Sequence, residues 1–237
     1  LRAETATLRV ASYNIHRAVG IDRQRNPARI AGVLGELRAD IVGLQEVDWH
    51  DEPGRRHAQF EYLARLPGYE AVAGPNLRDH RGHYGNLLLT HLPIRAVRLH
   101  NLSLDDREPR GAVDVDLALD EGSLRVIVTH LGLRAGERWR QAWQLRRLLQ
   151  QTPDRPTVLL GDLNDWLPGS PSVRPLLALC APRRHPRSFP SRRPLFALDR
   201  ILTRALPIPK PPHVHRSATA CVASDHLPVV ADLCLPG

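Results

Sequence analysis

The sequence predicts a layered α/β fold, and three observations carry the prediction. Near the N-terminus an apolar strand, an amphipathic helix and a second apolar strand follow one another within about forty residues. From Tyr69 to Leu119 the pattern changes to short extended runs separated by turn residues, as in antiparallel hairpins. Several apolar runs also end in an acid, an amide or an imidazole, which places those groups together at one sheet edge.

Taken in order, Leu8 to Tyr13 alternates as a strand and delivers Asn14 at its end. Asn26 then reads as an N-cap with Pro27 at the first helical position, and Ile30, Val33, Leu34 and Leu37 form one apolar face. Ile41 to Leu44 is a short apolar strand terminated by Gln45-Glu46. Phe60, Leu63 and Ala64 suggest a second helix. Extended runs follow at Asn86 to Thr90, Ile94 to Leu99 and Ala112 to Leu119, punctuated by Pro93 and the Asp105 to Gly111 stretch. Leu124 to Thr129 is a strand that presents His130. Glu137 to Gln151 reads as a helix with Trp139, Trp143, Leu145, Leu148 and Leu149 on its apolar side. Thr157 to Leu160 feeds Gly161-Asp162. Ser170-Pro171 opens a helix through Leu179, with serine as its N-cap. The Pro/Arg-rich stretch from Ala181 to Pro194 reads as surface loop, as does Ala205 to Arg216. Ile201-Leu202 and Val229 to Leu233 are the last strands. With no internal repeat and no clear linker, residues 1–237 read as one domain.

Hydrophobic residues at 42% and charged residues at 24% belong to an ordinary globular chain. The net charge of +8, almost all of it arginine, favours anionic partners such as nucleic acid, phospholipid headgroups or small phosphates. A general bias toward arginine gives the same count. Cys180, Cys221 and Cys234 have neither the even number nor the spacing of a disulfide framework or zinc site, so buried free thiols in a reducing, cytoplasmic setting are expected. No apolar run reaches the length of a membrane span, and stable membrane insertion is not expected. The chain begins at Leu1 and contains no methionine, which is compatible with a removed N-terminal signal. A monomer is expected.

Each polar cluster has an ordinary reading beside its chemical one. Glu46 is a solvated strand end or the main carboxylate for a hard cation such as Mg²⁺, with Asn14 or Asp225 as helpers. His130 is a hydrogen-bonded structural histidine or, with His226, half of a pair that divides proton transfer at a phosphodiester. Gly161-Asp162-Leu163-Asn164 is a turn, or alternation sends Asp162 and Asn164 to one side, where the carboxylate orients water and the amide holds a phosphoryl oxygen. Asp199 or Asp225 can fix the tautomer of His226. Arg110, in Glu108-Pro109-Arg110, belongs to a solvated hairpin tip or supplies a fixed cation to the phosphate.

Together these residues give the chain a resemblance to the endonuclease/exonuclease/phosphatase superfamily, in its compact bacterial branch. The resemblance rests on Ser12-Tyr13-Asn14, Leu44-Gln45-Glu46-Val47, Thr129-His130, Gly161-Asp162-Leu163-Asn164, Leu198-Asp199-Arg200-Ile201 and Ser224-Asp225-His226, six short motifs in the family's order. It implies a four-layer α/β sandwich, two mixed β-sheets face to face with helices outside. It also implies Mg²⁺ or Mn²⁺ at Glu46, with Asn14 and Asp225 near metal or phosphate. His226 then activates the nucleophile or binds phosphate, Asp162 and Asn164 orient nucleophile and phosphate, Asp199 supports the acid–base network, and His130 contacts the phosphate. His226 with aspartate support is the favoured base and Asp162 its rival.

The leading expectation is a Mg²⁺-dependent phosphodiesterase or phosphoesterase acting through an activated water. Its substrate is a phosphate ester: a lipid headgroup, a small phosphodiester or nucleic acid. A nuclease acting on DNA or RNA gains from the arginine content. A catalytically silent phosphate-binding module would have lost one of Glu46, His130, Asp162, Asn164 or His226, and all are present.

Overall fold

The computed structural model describes residues 7–49, 59–79, 82–104, 107–167, 169–182 and 184–235. Its first elements are β1 (Thr7–Asn14), α1 (Pro27–Leu37), β2 (Ile41–Trp49), α2 (Gln59–Ala64), β3 (Glu70–Asp79) and β4 (Gly82–Thr90). The middle of the chain forms β5 (Ile94–Asn101), β6 (Gly111–Ala118), β7 (Ser123–His130), α3 (Ala135–Gln150) and β8 (Thr157–Asp162). The remainder contributes α4 (Arg174–Leu177), β9 (Asp199–Arg204), β10 (His213–Val214), α5 (Ala220–Ala223) and β11 (Val229–Cys234). Of the punctuating stretch that begins at Asp105, residues 105–106 lie outside the described residues.

Two mixed sheets result, ordered β10-β11-β1-β2-β4-β3 and β5-β6-β7-β8-β9. Neighbours run antiparallel except for β1–β2 and β7–β8, whose parallel pairing is bridged by α1 and α3. Three apolar clusters define the layers. Leu8, Val10, Ile41 and Leu88 of the first sheet meet Val113, Val126, Val158 and Ile201 of the second. The first sheet's other face packs on Ile30, Val33 and Leu34 of α1 and Leu63 of α2. The second sheet's other face packs on Ala142, Leu145 and Leu149 of α3 and Leu176 of α4. Helix, sheet, sheet, helix is the four-layer sandwich expected. The sheets approach closely at Gly43, where a Cβ would lie 2.9 Å from that of Leu160.

The first helix begins as predicted, with the Asn26 side chain accepting from Arg29 N and Pro27 in the first turn. Elsewhere the local reading is corrected. β3 runs through residues not read as a separate strand, and the supposed loop from Ala205 contains β10, which edges β11. Ser170 does not cap a helix; its hydroxyl meets that of Ser172, and the helix shrinks to the single turn of α4. The three thiols are free but half-buried.

The largest correction falls in α3, whose Leu145 and Leu149 are buried as predicted but whose two tryptophans are not. Trp139 and Trp143 are exposed, while Glu137, Arg138 and Gln141 are buried. Gln141 accepts from Gly132 N and donates to Leu102 O, and Arg138 donates to the carbonyls of Gly132 and Leu133. Backbone groups of the loop after His130 would otherwise lack partners, so polar side chains turn inward and the indoles turn out.

Candidate active site

Strand register brings the polar clusters to one edge. Parallel pairing sets Asn14 beside Gln45 and His130 beside Asp162, and the antiparallel pair β8–β9 sets Asp162 opposite Asp199. Ends of β1, β7 and β8 and beginnings of β9 and β11 therefore share one rim, and Ser224-Asp225-His226 enters β11 from it. All nine residues singled out in the sequence gather there. Glu46, Arg110, His130, Asp162, Asn164, Asp225 and His226 line a cleft of about 400 Å³. Asn14 and Asp199 are buried and bonded directly to its wall.

Glu46 does not end a strand, as its position after an apolar run suggested. β2 continues to Trp49, and its register against β4 shifts between Leu44 and Val47. Glu46 sits in this bulge at φ 60°. A left-handed conformation at a non-glycine residue costs about 1–3 kcal/mol and is typical of functional positions. A bulge re-aims a side chain, here into the cleft. Asn14 Nδ2 donates to Glu46 Oε1 and to Asp162 Oδ2, both at 3.0 Å, while Asn14 Oδ1 accepts from His16 N. Asn14 thus joins two carboxylates from different sheets as a donor.

Asp162 and Asn164 converge by a turn rather than by strand alternation. β8 ends at Asp162, Asn164 is left-handed (φ 50°), and its N–H donates to Asp162 Oδ1 at 2.8 Å. Leu163 turns away into the outer core, as anticipated. The Asn164 amide donates to Leu131 O and lies 3.0 Å from His130 Nε2. His130 Nδ1 faces Arg110 at 3.5 Å. Burial, then the Arg110 charge, push the His130 imidazole down to about 3, so it is neutral at physiological pH. Arg110 itself is buried rather than at a solvated tip. It reaches out to the half-exposed Glu108 with both terminal nitrogens, and its Nε has no partner among the described residues.

The choice of aspartate for His226 is resolved geometrically. Asp199 Oδ2 lies 2.7 Å from His226 Nδ1, while Asp225 Oδ1 faces His16 Nδ1 at 3.7 Å. Ser188 Oγ donates to the same Asp199 oxygen at 2.5 Å. Burial alone would lower the His226 pKa, but the charge and hydrogen bond of Asp199, with Asp162 and Asp225 adding, raise it to about 10. Its Nε2 points toward Asp162 Oδ2 at 3.8 Å, and His130 Nε2 lies 3.6 Å from that oxygen. Asp162 therefore stands between two imidazoles, one neutral and one cationic.

Asp162, Asp199 and His226 bring one donor atom each within 4.8 Å of one another, a spacing a metal could bridge. His226 Nδ1 and Asp199 Oδ2 are already bonded to each other, however, so this trio is better suited to holding a proton. A hard divalent cation prefers oxygens. The carboxylates of Glu46, Asp162 and Asp225 line the cleft and supply that donor set, and gathering them favours a cation among them. Asn14 contributes by holding Glu46 and Asp162 in place.

Several residues in and behind the cleft wall had no site role in the sequence reading. Ser188 and Ser191 are fully buried inside the supposed surface loop, and Phe189 lies against the His226 ring at 4.8 Å. Trp166 packs on Phe189 and Phe196. Tyr84 lines the cleft beneath the Arg17 guanidinium, 4.7 Å from its ring centre. His16, Arg17 and Ala18 are all left-handed, and Gln59 Nε2 donates to Arg17 O. No local pattern announces these contacts. They depend on segments far apart in the chain.

The comparisons with known proteins agree with this architecture. The Endonuclease/Exonuclease/phosphatase family model matches residues 11–226. The uncharacterized protein YbhP of Escherichia coli (strain K12) is 28% identical over 96% of both chains. An endonuclease/exonuclease/phosphatase from Beutenbergia cavernae DSM 12333 is 25% identical, with a TM-score of 0.76 over 98% of this chain and 72% of its own. The mannosyl-6-phosphatase of Bacteroides thetaiotaomicron VPI-5482 also scores 0.76, at 20% identity over 96% of this chain and all of its own. The chain belongs to the endonuclease/exonuclease/phosphatase family, whose members hydrolyse phosphate esters.

Proposed function

We propose that this family member is a Mg²⁺-dependent phosphodiesterase or phosphoesterase. One observation carries the reading: Asp162 sits between His130 and His226 and is linked through Asn14 to Glu46. Glu46 and Asp225 would hold the cation, which would supply charge stabilisation to the phosphoryl oxygens when bound.

The chain's own groups then divide the work. Asp162 accepts a proton from the attacking water. His226, kept cationic by Asp199, donates toward the phosphoryl group through Nε2, so Asp162 rather than His226 is the base in this reading. The Arg110 guanidinium donates to the remaining phosphoryl oxygens, with neutral His130 held beside it by the Asn164 amide, from which its Nε2 accepts. Phe189 and Trp166 exclude water on one side of the cleft.

The test is hydrolysis of bis-p-nitrophenyl phosphate with Mg²⁺ and with a chelator, by the parent protein and by Glu46→Ala. Turnover that needs the metal and collapses in Glu46→Ala is expected; turnover indifferent to both contradicts the reading. Plasmid DNA, abasic duplex, RNA, phospholipids, inositol phosphates and a sugar phosphate then divide the substrate classes.

A further inference from the structure

Exposed apolar side chains are ordinary when scattered and informative when they cluster. Leu167, Leu133 and Leu195 are 70%, 63% and 59% exposed, and Trp139 and Trp143 also lie at the surface. Leu133 lines the mouth of the catalytic cleft, which Trp166 shares with a neighbouring cavity of about 550 Å³. Leu167 and Leu195 line that second cavity. α3 begins two residues after Leu133 and carries the two indoles, packed edge to face at 6.1 Å. Protruding leucines therefore flank the opening to the chemistry, and the exposed indole pair lies on the helix that leads away from it.

Outside the carboxylates of the cleft itself, the two segments that carry these side chains are rich in arginine. Residues 166–198 contain six arginines and no aspartate or glutamate. The only acid between Leu133 and Gln150 is Glu137, which is buried, while Arg134, Arg140 and Arg147 are exposed. Arg146 lies over the Trp143 ring at 5.3 Å, with its cation beside the indole.

We propose that this rim docks on an anionic lipid bilayer and presents the cleft to phosphate esters at headgroup depth. Tryptophan and leucine beside arginine are the side chains that settle in the headgroup–acyl boundary, and the arginine excess of these segments complements acidic lipid. Nucleic acid fits the rim less well. Aliphatic leucines give nothing to bases or phosphates, and Trp143 has Arg146 across its ring. Docking stands on the rim alone; the headgroup ester as substrate rests on the phosphoesterase reading.

Flotation with phosphatidylcholine vesicles, with and without phosphatidylglycerol, tests the inference. The parent protein should float with the phosphatidylglycerol vesicles. Leu167→Ser/Leu195→Ser and Trp139→Ser/Trp143→Ser should each weaken that binding at least ~10-fold. Both double variants should still hydrolyse bis-p-nitrophenyl phosphate at the parent rate, which also shows that they fold. Failure of the parent protein to bind phosphatidylglycerol vesicles while it cleaves the soluble diester overturns the docking surface. So does equal binding to pure phosphatidylcholine, a dimer without vesicles that the same substitutions dissolve, or single-stranded nucleic acid capturing the rim in place of lipid. Vesicle binding without turnover on any ester supports docking and removes the phosphoesterase reading instead.

Discussion

Two clusters of buried charge in this molecule are built on opposite terms. On β5, β6 and β7, Asp114 is fully buried with both oxygens filled. Arg125 donates at 2.9 and 2.7 Å, Arg98 at 2.9 and 3.1 Å, and His100 approaches at 2.8 Å. Burial would raise the Asp114 carboxyl, but those bonds outweigh it and hold the pKa far below the usual range. At the cleft, by contrast, Asp199 Oδ1 has no partner among the described residues, and both imidazole Nε2 atoms stop 3.6 to 3.8 Å short of Asp162. Carboxylates with every acceptor position filled hold strands together. Carboxylates left underbonded, with acids and imidazoles pressed close, are arranged for something that arrives later.

Substitutions can break or sharpen this contrast. Asp162→Asn should lower turnover of bis-p-nitrophenyl phosphate about 10³-fold, with the urea midpoint little changed. Asp114→Ala should do the reverse. It leaves Arg125 and part of Arg98 without their partner, which costs about 3–5 kcal/mol in urea unfolding, and turnover per folded molecule should hold. His226→Asn should slow turnover by about 10²-fold, with Asp199→Asn following it in pH profile if the pair acts as one unit.

Stability against pH gives the smallest and most specific signature, read by thermal unfolding of metal-free protein. His130 is neutral when folded, and its pKa falls from 6.5 to about 3. The stability this confers is present above pH 6.5 and is lost as pH falls toward 3. His226 is raised from 6.5 to about 10, so its contribution is full below pH 6.5 and fades as pH rises through 10. His130→Asn should flatten the acid limb and His226→Asn the alkaline one. Unchanged limbs in both would remove the opposed charge states from the account.

Much of the site could be read from residue types because its members sit at ends of strands with clear apolar patterns. Asn14, His130, Asp162 and His226 needed only that placement. What escaped depends on contacts between distant segments. Ser188 reaches Asp199 from a stretch rich in proline and arginine, where composition reads as surface loop although Ser188 and Ser191 are buried. The bulge at Glu46 follows from a register shift against β4, which strand periodicity cannot report. The outward indoles of α3, on a helix whose Leu145 and Leu149 stay buried as predicted, arose because loop carbonyls needed donors, a demand that outweighs the burial of two indoles.

The central claim is that the underbonded cluster performs metal-assisted phosphate-ester hydrolysis while the saturated one only supports the fold. Its most direct test is initial-rate hydrolysis of bis-p-nitrophenyl phosphate in Mg²⁺ by Asp162→Asn and Asp114→Asn, each normalised to its folded fraction. Loss of about 10³-fold in the first with a near-parent rate in the second is the predicted result. Equal losses in both, or a parent-like rate in Asp162→Asn, would contradict it.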